Sequence, residues 1–286
     1  MLTRRRLIVG ATAGAAMVVS AGRLWAVASA EVGDLRIEAV SDGALVLPAD
    51  FVYRDMPADV MAMLESEGAT ATSVSRDCNL TLLRDGERTV LFDAGAGSGF
   101  MPSAGKLMEG LASLGVDPGE VTHVVFTHCH PDHLWGVLDD FDEPTFPEAT
   151  YLVGRREWAY WMAPETLAAS PEERRSFVVG AQRRLPAIED RTELFDDGEE
   201  ILPGVFAFAT HGHTEGHMSF LVRRGGESLM IVGDAFVDPS LSFTRPDLPG
   251  STDHDPEMAA ATRLALLDLL ASEKIRFLGY HLPFPG

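Results

Sequence analysis

Positive charge is scarce in this chain. Its 286 residues carry 23 Lys and Arg against 43 Asp and Glu, a net charge of −20. Such a balance disfavours partners that are themselves anionic, nucleic acid and acidic membrane surfaces first among them. It makes a neutral or cationic small molecule easier to accept, although a solvated acidic surface would have the same composition. Cysteine is nearly missing. Cys78 and Cys129 cannot make a disulfide framework, and both read as small buried residues. No apolar run is long enough for a convincing membrane span: the longest, Leu7 to about Ala21, is short and rich in Gly, Ala and Ser. No Pro/Ser-rich linker divides the chain, which argues for one domain.

The first thirty residues do not read as part of that domain. Arg4, Arg5 and Arg6 form a basic start, the weakly apolar stretch follows, and Ala28-Ser29-Ala30 closes it. That is the layout of an export signal, removed before the protein acts. Thr3-Arg4-Arg5-Arg6-Leu7-Ile8 resembles the twin-arginine type, which implies export in a folded state. The expected organisation is therefore a signal over 1–30 and a folded domain over 31–286, in the periplasm or secreted, with no stable membrane insertion once the signal is gone. Without residues 1–30 the balance is 19 basic against 43 acidic residues.

In that domain, short apolar runs alternate with helical spacing. Strands are expected at 35–40, 79–84, 88–93, 121–127, 149–153, 205–209, 217–222, 228–232 and 275–278, with Asp85-Gly86 and Gly225-Gly226 as turns. Helices are expected at 103–114, 155–162 and 171–185. One more runs to about Ser272 from an Asp255 cap and Pro256, burying Met258, Leu264, Leu267 and Leu270. Two similar halves of this kind suggest an α/β fold, a four-layer αββα sandwich.

The chemistry is concentrated in His128-Cys129-His130-Pro131-Asp132-His133. With 9 histidines in the chain, this pattern should arise by accident on the order of once in a thousand such chains. Imidazole and carboxylate are the ligands that zinc and similar ions take. Three further candidates lie beside the ends of expected strands: His217, Asp234 and His281. Strand ends are rigid, so side chains there converge at little entropic cost. Seven ligands divide between two ions: His128, His130 and His217 for one, Asp132, His133 and His281 for the other, with Asp234 bridging. His213 is open between a hydrogen-bond partner of a ligand and a structural residue. Asp93 is open between a ligand's acceptor and a turn-former. His123 and His211 read as structural, and His254 as the start of the last helix. Phe146, Trp158 and Trp161 are core by default, with the wall of a substrate pocket as the functional alternative.

Through these motifs, together with Gly212-His213-Thr214-Glu215-Gly216-His217, Gly233-Asp234 and Tyr280-His281, the chain resembles the metallo-β-lactamase-fold hydrolases. Asp93-Ala94-Gly95 resembles their aspartate-containing turn. The closing Gly279-Tyr280-His281-Leu282-Pro283-Phe284-Pro285-Gly286 and the aromatic helix are similar to the methyl parathion hydrolase and N-acyl-homoserine lactonase branch, whose chains usually continue past this point. The resemblance implies an αββα sandwich with a dinuclear site at one edge. A homodimer is a family-level expectation.

Two divalent ions, zinc first and Mn2+, Fe2+ or Co2+ as alternatives, would share a hydroxide that attacks a small apolar ester, lactone or phosphotriester. Asp132 would orient that hydroxide or pass its proton. His133 speaks against the β-lactamase branches, and His130 in place of Glu against the di-iron oxygen-reducing branch. A glyoxalase-II-like thioesterase, an iron-dependent sulfur oxygenase and a non-catalytic periplasmic metal-binding protein are the alternatives.

Overall fold

The computed structural model describes residues 15–20, 23–66 and 72–286. The basic start of the expected export signal lies outside the described residues. Among the described residues thirteen strands form two sheets. The first holds β1 (Ala15–Ser20), β2 (Arg23–Val32), β3 (Leu35–Pro48), β4 (Ser73–Arg84), β5 (Thr89–Phe92), β6 (His123–Val125), β7 (Thr150–Gly154) and β8 (Thr192–Phe195), in sequence order. It is antiparallel from β1 to β5 and parallel from β5 to β8. The second has the order β13 (Arg276–Leu278), β12 (Glu227–Ile231), β11 (Met218–Arg224), β10 (Val205–Ala209) and β9 (Glu200–Leu202). Only β12 and β13 run parallel in it.

Strand alternation builds the layers. Val90 and Phe92, Val125 and Leu152 point one way and meet Phe220, Leu229 and Ile231 of the other sheet. Leu91, Val124, Tyr151 and Val153 point the other way, onto Leu111, Trp161, Val178 and Leu185 of the helices. Met230 and Val232 likewise face Leu266 and Leu270 of the helix Pro256–Glu273. Side chains of period two thus feed three apolar layers, and the expected αββα sandwich is the fold observed. Among the described residues no helix is long and apolar enough to cross a membrane.

The helix Arg155–Met162 has its expected bounds. Asp255 Oδ1 caps the last helix by accepting from Met258 N at 2.9 Å. The expected apolar face of that helix holds at Leu270, and at Leu267, which is half-buried against the core, but not at Met258. Ala259, Ala260, Arg263, Leu266 and Leu270 are buried, whereas Met258 is exposed. Small residues face inward because the 212 loop passes close: a Cβ on Gly212 would stand 2.3 Å from Ala259 N. Arg263 reaches the backbone oxygens of Pro246 and Leu248. β3 runs on to Pro48, and the helices Ala49–Val52 and Ala58–Ser66 follow it. Residues 67–71 lie outside the described set.

Candidate metal centre

Both sheets deliver side chains to one shared edge. β5 ends at Phe92 and is followed by Asp93, which adopts the left-handed region at φ 67°. Its Oδ1 accepts from Thr127 N at 2.7 Å and its Oδ2 from Thr127 Oγ1 at 2.8 Å. This fixes the exit from β6, where the histidine cluster begins. Asp93 Oδ2 also lies 2.8 Å from His133 Nδ1. A carboxylate on one ring nitrogen sets the tautomer and aims the other.

His128 Nε2 and His213 Nε2 each stand 3.0 Å from His130 Nδ1. Across from them, His281 Nε2 lies 3.1 Å from Asp132 Oδ2 and 3.2 Å from Asp234 Oδ2. His133 Nε2 is 3.4 Å from both Asp132 Oδ2 and Asp234 Oδ1. Asp234 Oδ2 is also 3.3 Å from His213 Nε2. One carboxylate therefore touches both groups. The remaining nitrogens are held from behind: His213 Nδ1 lies 2.9 Å from Asp253 Oδ1, and His281 Nδ1 lies 2.9 Å from Asp77 O. His128 Nδ1 is 3.0 Å from Thr127 Oγ1.

One expected ligand is replaced. His217 Nε2 accepts the backbone N–H of Asp234 at 3.0 Å, and its Nδ1 faces Thr210 O at 3.1 Å and Thr210 Oγ1 at 2.9 Å. Both nitrogens are used, so no lone pair is left for an ion. His213, four residues earlier, occupies the place assigned to His217. The other six expected ligands converge. Gly233, at φ 53°, allows the tight turn to Asp234; a Cβ there would stand 2.8 Å from His217 Nε2.

The residues fit a pair of cations. Asp132 Oδ2, His133 Nε2 and Asp234 Oδ1 are buried without a hydrogen-bond partner among the described residues. Buried polar atoms are rarely left so unless something absent satisfies them. Burial, then the neighbouring imidazoles, holds His128 and His130 well below the usual histidine range. They are neutral lone-pair donors, as ligation requires. Burial alone would lower His133 and His281 too, but the Asp234 and Asp132 carboxylates outweigh it and raise both well above that range. The second group is thus short of positive charge, which an ion would supply. Cys78 Sγ lies within 4.8 Å of ligand atoms of Asp132 and His281. Burial pushes its thiol up to about 11; it keeps its proton, and the second group is complete without it. Neither cysteine is in a disulfide.

Four features were not legible in the sequence. Asp253 holds His213. Glu157, buried, accepts from Cys129 N at 2.9 Å, Trp161 Nε1 at 2.6 Å, Thr214 Oγ1 at 2.8 Å and Gly216 N at 2.9 Å. It stitches the two histidine loops to the helix. A Cβ on Gly216 would stand 2.2 Å from Glu157 N, so only glycine allows this approach. His254 is no mere helix start: its Nε2 is 3.2 Å from His130 Nε2. Finally, an open cleft of about 670 Å³ leads away from His254, walled by Tyr160, Glu215, Asp255, Glu257 and two prolines. Tyr160, not Trp158, brings the aromatic helix to this cleft. Trp161 borders the site, its ring centroid 5.9 Å from that of His130, but its N–H is committed to Glu157. Phe146 is fully buried in the core between sheet and helices, away from the cleft.

Residues 75–275 match the metallo-beta-lactamase superfamily. The chain belongs to that superfamily. It is similar to the N-acyl homoserine lactonase AttM of Azorhizobium caulinodans, 35% identical over 129 residues that make up 43% of this chain and 45% of that protein. The match spans less than half the length of that relative. Among solved structures it is similar to AidC, described as a dizinc quorum-quenching lactonase (TM-score 0.85, 26% identity, 91% of this chain and 92% of that one). It is also similar to the hydrolase AbOPH (TM-score 0.83, 29% identity, 90% of each).

Proposed function

We propose that the chain is a dinuclear metal-dependent hydrolase of a small, uncharged, fairly apolar ester, lactone or phosphotriester. The observation that carries this reading is the convergence of two buried ligand groups on one shared carboxylate, Asp234, beside an open cleft. His128, His130 and His213 would hold one ion and Asp132, His133 and His281 the other. When bound, such ions supply Lewis acidity and a hydroxide at neutral pH. The likeness to a dizinc lactonase supports zinc.

The chain's own residues do the rest. Asp93, Thr127, Asp253 and the Asp77 carbonyl fix the imidazoles before substrate arrives. Asp132 Oδ2, beside His133 and His281, would serve the second ion and orient the nucleophile it supplies. The carboxylates along the cleft disfavour an anionic thiol conjugate, and with it the thioesterase reading. The complete second group disfavours an oxygenase that uses one iron alone.

The test is a substrate screen on zinc- or cobalt-reconstituted protein with aryl phosphotriesters, acyl lactones and aryl esters. Protein that binds two metals and turns over none of them refutes the reading. In Asp234→Ala both ions should be held loosely; retention of two per chain would refute the bridging role. The basic, apolar and small-residue pattern of residues 1–30 supports export, which fractionation of expressing cells decides. The resemblance to the lactonase branch supports a homodimer, which light scattering decides.

A further inference from the structure

We propose that His254 is a substrate-contacting hydrogen-bond donor, its proton fixed on Nδ1 by its contact with His130 and offered to an oxygen of an uncharged substrate in the cleft. The inference rests on the hydrolase reading above.

It follows from one tautomer deciding the next. His130 directs Nδ1 at the ligand group, 3.0 Å from both His128 Nε2 and His213 Nε2. With that lone pair given to an ion, the proton of His130 must sit on Nε2. Nε2 of His130 is 3.2 Å from Nε2 of His254, and such a contact needs one donor and one acceptor. His130 donates, so His254 accepts through Nε2 and carries its own proton on Nδ1. That nitrogen has no hydrogen-bond partner among the described residues, and the ring lines the cleft. A ring that accepts through Nε2 keeps that lone pair and is therefore neutral.

The ring is also held still. His254 N donates to His213 O at 3.1 Å. Arg174 donates to Asp253 O at 2.8 Å. The Tyr160 and Trp161 rings lie 5.5 and 5.8 Å from the imidazole. A donor fixed in advance on the cleft wall needs no reorganisation to bind an oxygen of the substrate that lies there. A neutral N–H selects carbonyl or phosphoryl oxygen, and Glu215, Asp255 and Glu257 along the wall make an uncharged compound a better occupant than an anion.

Two measurements test this on the zinc-loaded full chain. Histidine 15N NMR, with the His254 signals assigned by their loss in His254→Phe, should show a protonated Nδ1 and an unprotonated Nε2; the reverse tautomer overturns the proposal. In kinetics, His254→Phe should keep two zinc ions per chain and lose at least about tenfold in kcat/KM. The probes are N-hexanoyl-homoserine lactone, 4-nitrophenyl butyrate and an aryl phosphotriester. Unchanged kinetics, or zinc lost in step with activity, overturns the proposal. Wild type that turns over none of the probes sinks the hydrolase reading and this role with it, whereas active wild type matched by the variant sinks only the role of His254.

Discussion

Replacing Glu157 with Gln should loosen the metal centre without touching a single metal ligand. The carboxylate receives four donors, two on each oxygen. Burial pushes its carboxyl up and the four donors oppose this; only the ionised form satisfies them all. An amide has one oxygen and one NH2. The oxygen must face Cys129 N–H and Trp161 Nε1–H, because neither can turn round. The NH2 then meets Thr214, whose hydroxyl can reverse and accept, and Gly216 N–H, which cannot. The change removes two charge-assisted bonds and leaves at least one buried donor against a donor. Bonds to charged groups contribute about 1.5–3 kcal/mol each and an unsatisfied buried group costs about 1–3 kcal/mol, with partial relaxation lowering the sum. A net loss of about 3 kcal/mol is expected. At about 2–4 °C per kcal/mol for a chain of this size, Tm should fall by about 6–12 °C at pH 8. Because Glu157 ties Cys129, between two ligands, to the 212–217 loop that carries His213, zinc affinity should fall by about tenfold to a hundredfold. Calorimetry and zinc competition with a chelator read the two effects. A Tm within about 2 °C of wild type and unchanged zinc affinity would refute the reasoning.

His213→Ala should lose an ion and nearly all activity, whereas His217→Gln should keep two ions per chain and lose mainly stability, about 1–3 kcal/mol for a disturbed buried acceptor; metal analysis of the pair giving the opposite order would return His217 to the ligand set. Zinc binding near pH 7 should release protons, because His133 and His281 are raised and hold protons in the metal-free protein. The binding heat should vary with the buffer's ionisation enthalpy and affinity should rise with pH; no buffer dependence would refute it. In the metal-free protein the same paired protons stabilise the fold fully below the ordinary histidine value of about 6.5. That contribution is lost as pH rises through the raised values, so metal-free protein should unfold more readily at alkaline pH while zinc-loaded protein should not.

How far the sequence was legible depended on whether a contact had a local signature. The cluster 128–133 is contiguous, and Asp234 and His281 follow strand ends, so six of the ligands could be read from position. His213 and His217 could not be separated that way. Nearness to the strand favoured His217, yet nearness is what disqualifies it. Beside Met218, whose N–H bonds Thr127 O, it is drawn under the turn and spends Nε2 on Asp234 N–H, while His213 reaches over the site from the loop. A ligand must leave a lone pair unspent, and spacing does not record that.

The same limit hid the cleft. Trp158 and Trp161 share a helical face, but that face packs on the core, and Tyr160 on the neighbouring face meets the opening. His254 meets His130 across 124 positions, a separation with no periodic trace. Its part in the site follows only once His130 is seen to offer Nδ1 inward and Nε2 outward. Where one nitrogen points then decides where the next proton sits, and that chain of assignments extends from the ions to the cleft.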